Sequence, residues 1–269
     1  MYYRIAGLLV HIDGNNNILN HNWQKFLTVN QSEEYINVQI CTKENEYYLL
    51  EKYELFHMER KENWLCFRYD KDILLVDSEW KEAKILSLHC QEAFDMFVNQ
   101  VFTSVNVKKR MLQLHSSLIA TNEDQGIMFL GPSGIGKTTQ AELWAKYCDA
   151  LIINGDVVFV QETEHAFLGW GTPWHGSSAY CENTNVPVRA MIVLKQASEN
   201  SIRELTGFEK VIAVSQSVFY PRWLENGMEL CLETLDHLLT KVPVYELSCR
   251  PDEDAVRLTE ETVFGKGIA

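Results

Sequence analysis

The pattern of hydrophobic and polar positions changes near residue 105. From Met1 to about Leu88, short β-rich segments alternate with clusters of turn residues. The β-rich segments are Ile5–Ile12, Tyr35–Cys41, Tyr47–Tyr53, Trp64–Tyr69 and Ile73–Val76. A helix is predicted over Ser87–Phe102, because its apolar residues recur at near-helical spacing. The pattern predicts a small antiparallel β-rich domain over residues 1–105, with this helix as its connection to the remainder.

The rest of the chain alternates between strand and helix patterns. The segments are an apolar run at Gly126–Leu130, a helix at Thr138–Tyr147, a second apolar run at Ala150–Ile153, a strand at Arg189–Leu194, a helix at Trp223–Leu239 and a strand at Val242–Leu247. The first three form a compact β-α-β pattern. Alternation of this kind is typical of an α/β domain, which we place at residues 106–269.

Composition narrows the classes of function. The chain has 37 acidic and 24 basic residues, a net charge of -13, which disfavours binding to nucleic acid or to anionic membranes. No apolar run approaches the roughly 18 residues of a membrane span, and no signal peptide is indicated. The seven cysteines form no C-x-x-C pair and are odd in number, which favours free thiols in a reducing, cytoplasmic compartment.

A glycine-rich segment carries the strongest chemical signal. Gly131-Pro132-Ser133-Gly134-Ile135-Gly136-Lys137-Thr138 matches G-x-x-x-x-G-K-[ST] and lies between an apolar strand and a helix. Backbone N–H groups of such a loop, continued into Thr139, bind the phosphates of a nucleotide, while Lys137 reaches the outer phosphates and Thr138 ligates Mg²⁺. Because Thr139 stands where a dinucleotide-binding fingerprint has its third glycine, that alternative is excluded.

Asp156 is the candidate for a base or a second metal contact. It follows the apolar run Ala150–Ile153, which we expect to lie beside the strand that leads into the glycine loop. Open α/β sheets bind their ligands at the carboxyl ends of such strands. Asn154-Gly155 is also a good hairpin signal, which would make Asp156 part of a turn, and the spacing alone leaves both interpretations open.

Three elements in this order resemble the HPr kinase/phosphorylase family over residues 112 to 195. They are His115 in Leu114-His115-Ser116-Ser117, the loop with Ser133 at the family's serine position, and Asp156. The resemblance implies an α/β P-loop kinase core of the HPr kinase/PEP carboxykinase-like type, here preceded by the small β-rich domain. It implies ATP and Mg²⁺ as cofactors, with Thr138 and Asp156 as metal ligands, and transfer of the γ-phosphate to a serine or threonine hydroxyl. Asp156 would take the hydroxyl proton, with His115 and Lys137 beside it.

The sequence departs from that family in two places. Gly155-Asp156 replaces the family's paired aspartates, and its later E-[IV]-R-G signature is missing. Neither the reverse phosphorylase reaction nor HPr itself as the acceptor is therefore expected. With its β-rich front half, the chain is similar to the HPr-kinase-like kinases that tailor lasso and other ribosomally made peptides, so a peptide or small protein is the expected acceptor.

Other assignments remain open on the sequence. His115 could be a core or rim histidine, His175 in the segment Gly169–Ser178 could contact substrate or belong to a tight turn, and Arg189 could bind phosphate or end a strand. A kinase for a small hydroxylated metabolite and a nucleotide-dependent switch are the alternative functions. The front half would recognise the acceptor by strand addition or serve a structural or dimerising role. A homo-oligomer is compatible with the sequence, which has no guanine-specific N-K-x-D motif but does not separate ATP from GTP.

Overall fold

A computed structural model describes residues 1–14, 19, 21–29, 34–41, 59–61, 64–69, 72–86 and 91–265, without the side chains of 59–61. The chain divides into two compact units. The first consists of Met1–Lys108 with Pro221–Gly227, and the second of Lys109–Tyr220 with Met228–Ala269. Within the described residues, no helix is both long and apolar enough to cross a membrane.

The first unit contains a mixed sheet. In chain order its strands are β1 (Tyr2–Ile5), β2 (Leu8–Asp13), β3 (Leu27–Thr28), β4 (Ile36–Ile40), β5 (Glu59–Lys61), β6 (Trp64–Tyr69), β7 (Asp72–Asp77) and β8 (Glu82–Leu86). Among the described residues their spatial order is β3-β1-β2-β4-β8-β7-β6-β5. β4, β6 and β7 lie on predicted segments, whereas the predicted Tyr47–Tyr53 strand lies outside the described residues.

Two predictions for this unit are wrong. Ile5–Ile12 is not one strand, because Ala6 and Gly7 have φ angles of 45° and 78° and form a two-residue hairpin that pairs Ile5 with Leu8. The sheet is also not purely antiparallel, since β4 runs parallel to both β2 and β8. The connection from β2 to β4 includes a 3₁₀ helix at His21–Phe26 and is long enough for the chain to return in the same direction.

Helix α1 (Gln91–Val107) belongs to the first unit and is the described part of the helix predicted over Ser87–Phe102. Its apolar face is fully buried, with Phe94, Phe97 and Val101 each at most 1% exposed. The helix continues past Phe102 because the following turn is buried as well. The predicted start at 87–90 lies outside the described residues.

The second unit combines a larger sheet with four helices in the described residues. Its elements are β9 (Met111–Ala120), β10 (Gly126–Leu130), α2 (Lys137–Cys148), β11 (Leu151–Asn154), β12 (Val157–Glu162), β13 (Phe167–Trp170), β14 (Asn185–Gln196), β15 (Ser201–Glu204), α3 (Gly207–Ser215), α4 (Gly227–Lys241), β16 (Val244–Cys249) and α5 (Glu253–Phe264). Each segment predicted for this half overlaps one of them, but α4 begins at Gly227 and not at the predicted Trp223, and β16 begins at Val244 and not at the predicted Val242. The observed fold is mixed α/β.

Strand β9 is the centre of the second sheet. It pairs antiparallel with β10 and β11 through its second half and with β12 through its first half. β10 pairs in parallel with β14, which in turn pairs in parallel with β16. The predicted β-α-β unit of neighbouring strands is therefore wrong, because β9 lies between β10 and β11. β9 escaped prediction since Gln113, His115 and two serines interrupt its apolar pattern.

The core of this unit lies where α2 and α5 pack against the sheet. Trp144 of α2 and Val256 of α5 are buried with Phe129 of β10 and Ile192 of β14. This packing fixes α2 against the strand that precedes it, so the loop joining β10 to α2 is held at both ends. Six of the seven cysteines lie in the described part of the chain, and no disulfide bond joins any two of these six.

Candidate functional site

The glycine loop, Gly131–Gly136, connects the end of β10 to the start of α2. Gly131, Gly134 and Gly136 have φ angles of 138°, 77° and 118°, a region that side chains other than glycine rarely adopt. A Cβ at Gly134 or Gly136 would find nothing within 4 Å, so the backbone there borders open space. Curled backbone at a helix N-terminus that faces open space suits the binding of phosphate groups.

Lys137 is the first residue of α2 and is held against the loop. Its Nζ donates hydrogen bonds to the carbonyl oxygens of Gly131 at 3.1 Å and Pro132 at 3.3 Å, and the residue is only 6% exposed. Burial lowers the pKa of Lys137, and the nearby Asp156 partly opposes that shift. The buried Ser117 hydroxyl donates to the Lys137 carbonyl at 3.0 Å and ties the start of α2 to β9. The ammonium group is thus held beside the loop by two of the loop's own carbonyl oxygens.

Asp156 and His115 form a hydrogen-bonded pair across two neighbouring strands. His115 is on β9 opposite Val157 of β12, so Asp156 lies one residue before that rung. The His115 Nε2 donates to the Asp156 Oδ1 at 2.9 Å, with the two side chains 28% and 31% exposed. The hydrogen bond from His115 lowers the pKa of Asp156 below its ordinary value, burial opposes this, and the charges of His115 and Lys137 add to it. Asp156 is therefore a carboxylate throughout the neutral range.

The structure reconciles the two interpretations of Asp156. The side chain of Asn154 accepts hydrogen bonds from the backbone N–H groups of Asp156 at 2.9 Å and Val157 at 3.0 Å, which is an Asx turn. Asp156 is consequently part of a tight turn between β11 and β12. The same turn places the Asp156 carboxylate in the lining of a cavity. Asp156 is therefore both a turn residue and a candidate site residue.

The cavity beside the loop has a volume of about 440 Å³. We call it the loop cavity; its lining includes Gly136, Lys137, Thr138, Asp156 and His115. Among the described residues, no group of three or more His, Cys, Asp and Glu side chains could hold a metal ion. A Mg²⁺ ion takes one or two protein ligands and completes its shell with substrate phosphates and water, and the Thr138 hydroxyl and Asp156 carboxylate in this cavity fit that donor set.

Residue 155 has no room for a side chain. A Cβ at Gly155 would come within 1.9 Å of the Ser178 Oγ and 2.5 Å of the Ser178 Cβ. The Thr138 Oγ1 donates to the Gly155 carbonyl at 3.4 Å, so the peptide also contacts α2. Ser178 therefore fills the space that a side chain at residue 155 would need.

Of the other two predicted substrate contacts, His175 lies near Asp156, whereas Arg189 does not line the loop cavity. His175 contacts the Ser178 carbonyl through its Nδ1 and holds the turn at 175–178, although its charge contributes to lowering the pKa of Asp156. Arg189 is exposed on β14, about 13 Å in chain length before Val193, which is the partner of Leu130 at the start of the loop. Arg189 thus lies toward the opposite end of the parallel strands, and the structure does not bring it to this site.

Sequence reasoning missed several residues that line the loop cavity. Glu142 of α2, Ser178 and Tyr180 are among them, and the Tyr180 hydroxyl donates to the Glu142 Oε1 at 3.1 Å. No motif spacing marks these positions. The serine-rich end of the segment Gly169–Ser178 was the only available signal, and its meaning depended on how the turn folded back on Gly155.

These features define a mixed α/β protein with a glycine loop, a buried lysine and a histidine–aspartate pair around one cavity. The chain belongs to the family described as SynChlorMet cassette protein ScmC, whose model matches residues 78–251. No curated protein matches it in sequence. A solved structure described as the Hpr(Ser) kinase/phosphatase from Coxiella burnetii is similar with a TM-score of 0.33 and 10% identity, over 56% of this chain and 95% of that one.

Proposed function

We propose that this protein is an ATP-dependent kinase that transfers the γ-phosphate to a serine or threonine hydroxyl of a peptide or small protein. The observation that carries the proposal is the convergence on one cavity of the glycine loop, Lys137, Thr138 and the Asp156–His115 pair. Phosphoryl transfer depends on charge neutralisation and positioning, and these residue types supply both.

In the proposed reaction the glycine loop and Lys137 neutralise the charge of the phosphates. The N–H groups of the glycine loop and the Lys137 ammonium hold the phosphates and offset the negative charge that the transition state spreads over the γ-phosphate. Mg²⁺, when bound between Thr138, Asp156 and the phosphates, would neutralise further charge. Because the pKa of Lys137 is lowered by burial but opposed by Asp156, the carboxylate helps to keep the lysine protonated.

Asp156 positions the acceptor. One carboxylate oxygen accepts the hydrogen bond from His115, which leaves the other oxygen to accept the acceptor's O–H. As the acceptor oxygen bonds to the γ-phosphorus, the bond from that phosphorus to the β–γ bridging oxygen breaks and ADP leaves. The hydroxyl proton passes to Asp156. Because its pKa is lowered, Asp156 acts mainly by orienting the hydroxyl and takes the proton late, which suits a loose transition state.

The test is intact mass spectrometry of serine- and threonine-bearing peptides, including peptides with a C-terminal serine, after incubation with ATP and Mg²⁺. We expect the wild type to add one phosphate per acceptor, and Asp156→Asn to lower the rate by about 10²–10⁴-fold. A mass gain that survives the substitution would keep the kinase and remove Asp156 as the positioning group. Nucleotide binding without any phosphorylated peptide would favour the metabolite kinase or the switch.

The chain offers a matched control for this experiment. Glu162, at the other end of β12, also pairs with a histidine, His237, at 3.0 Å. Glu162 does not line the loop cavity. Glu162→Gln should therefore leave the rate of phosphate transfer within about twofold of the wild type, provided the comparison is made where both proteins are folded.

A further inference from the structure

A second cavity adjoins the first on the opposite side of His115. It has a volume of about 590 Å³ and lies at the start of the glycine loop, where Gly131 and Pro132 form part of its wall. His115 lines both cavities. A group in the second cavity therefore lies beside His115, the hydrogen-bond partner of Asp156.

The open wall of the second cavity is largely apolar. Ile135 of the loop, Val193 of β14, Leu205, and Ile212 and Ala213 of α3 contribute to it. A cavity of several hundred cubic ångströms with such a lining is of the size that accepts a drug-sized ligand or a few residues of a peptide.

The charged residues of this cavity pair with one another. Glu246 accepts hydrogen bonds from Lys195 at 2.5 Å and Arg203 at 3.1 Å, and Arg203 also pairs with Glu209 at 2.9 Å. Burial alone would raise the pKa of Glu246, but the hydrogen bonds from Lys195 and Arg203 outweigh it and lower that pKa. Two positive and two negative groups are thus already matched. A ligand with its own carboxylate or phosphate would have to break one of these pairs.

We propose that this second cavity is the acceptor site and that it selects a peptide with an apolar side chain next to the phosphorylated serine or threonine. The inference rests on the proposed kinase function and specifies its substrate. The apolar side chain lies against Ile212, Ala213 and Val193, and the neighbouring hydroxyl passes His115 to reach Asp156. A small, highly hydroxylated metabolite fits this wall poorly, because it would place polar groups against apolar side chains without hydrogen-bond partners.

Two adjacent residues of α3 allow a matched test. Ile212 and Val211 are 45% and 41% exposed and occupy the same helix, but only Ile212 lines the cavity. Ile212→Glu places a carboxylate in the proposed acceptor site, whereas Val211→Glu makes the same chemical change outside it. Both positions are exposed enough for the fold to tolerate glutamate, which unfolding curves and retained ATP binding would verify.

The probe is a positional-scanning set of nonapeptides with a central serine, incubated with ATP and Mg²⁺. The wild type should prefer leucine, isoleucine or phenylalanine over aspartate by about tenfold or more at one position within two residues of the serine. Ile212→Glu should abolish that preference and raise the rate for lysine at this position, while Val211→Glu should leave the profile unchanged.

The outcomes separate this inference from the function on which it rests. Phosphorylation of peptides without an apolar preference, or with a preference that Ile212→Glu leaves intact, would overturn the acceptor site and keep the kinase. Equal effects of the two substitutions would also overturn it. No phosphorylation of any peptide by the wild type would overturn the proposed peptide kinase, and the acceptor site with it.

Discussion

Strand β12 carries a histidine–carboxylate pair at each end, and the two pairs have different surroundings. Asp156, just before the strand, meets His115 at 2.9 Å, while Glu162, its last residue, meets His237 at 3.0 Å. The Asp156 side chain is 31% exposed and faces the loop cavity, whereas the Glu162 side chain is 12% exposed. The Glu162 carboxylate is therefore the less exposed of the two, although its histidine, at 37%, is more exposed than His115, at 28%.

The Glu162 carboxylate has three basic partners. Besides His237, Glu162 meets Arg110 at 3.2 Å and Lys241 at 3.5 Å. Burial alone would raise the pKa of Glu162, but hydrogen bonds from His237 and Arg110 outweigh it and lower that pKa. No carboxylate oxygen remains free for a ligand. Among the described side chains Asp156 has one hydrogen-bond partner, His115, and it lines the loop cavity, which Glu162 does not.

The largest effect on stability should come from adding a second carboxylate beside Asp156. Gly155→Asp would force a side chain onto Ser178, and we expect a loss of about 2–3 kcal/mol in the free energy of unfolding from overpacking. Urea denaturation followed by tryptophan fluorescence would measure it. The companion variant Gly155→Asp/Ser178→Gly removes the obstructing Cβ and Oγ and should recover at least half of the loss; no recovery would mean that Ser178 is not the cause.

A smaller loss of stability should distinguish the two ends of β12. Glu162→Gln weakens the contacts of Arg110, Lys241 and His237 with this side chain and should cost about 1–2 kcal/mol, whereas Asp156→Asn weakens the contact with one histidine and should cost less than about 1 kcal/mol. Because the pKa of folded Glu162 is lowered, its contribution is complete above the unfolded value of about 4.3 and disappears as the pH falls through the folded value. Equal costs for both variants at pH 7 would contradict the comparison.

A third carboxylate, Asp95 in α1, has no cation beside it among the described residues and should behave in the opposite sense. Burial raises the pKa of Asp95 to about 6, partly offset by a hydrogen bond with Trp23, and its Oδ1 lacks a hydrogen-bond partner among the described residues. The ionised form therefore destabilises the fold above pH 6, and the penalty fades as the pH falls toward the unfolded value near 3.9.

We expect Asp95→Asn to stabilise the protein by about 1–2 kcal/mol at pH 7.5 and by almost nothing near pH 4. Thermal unfolding at several pH values would show the difference curve. Stabilisation of the same size at every pH would mean that packing of the amide, not loss of the buried charge, explains the gain.

The glycine loop and its flanking elements could be predicted because each depends on local sequence. Glycines at fixed spacing and an apolar run before them are sufficient to place Gly126–Leu130 and the helix that starts at Lys137. The order of the strands could not be predicted, because β9 carries polar residues and was not recognised as a strand. Its insertion between β10 and β11 is decided by long-range pairing, which leaves no local signature.

The positions of the candidate site side chains also depend on long-range pairing, which the sequence does not reveal. His115 and Asp156 meet because adjacent rungs of β9 and β12 carry them, a fact that the register reveals and the spacing does not. Arg189 was a reasonable phosphate ligand by composition, but its position depends on which end of β14 faces the loop. His175 was expected at a substrate contact, and its hydrogen bond to Ser178 required the folded turn to be seen.

The two cavities that His115 lines are built from segments that are far apart in the sequence, and this has an evolutionary consequence. The residues proposed to bind phosphate lie at 131–138, the carboxylate proposed to orient the hydroxyl at 156, and part of the proposed acceptor wall on the short helix α3 at 207–215. Because these segments are distinct stretches of chain attached to one sheet, substitutions in α3 can accumulate without disturbing the other two. A lineage could thereby acquire a new target through a handful of changes in nine helical positions, while its phosphate-handling apparatus stays untouched.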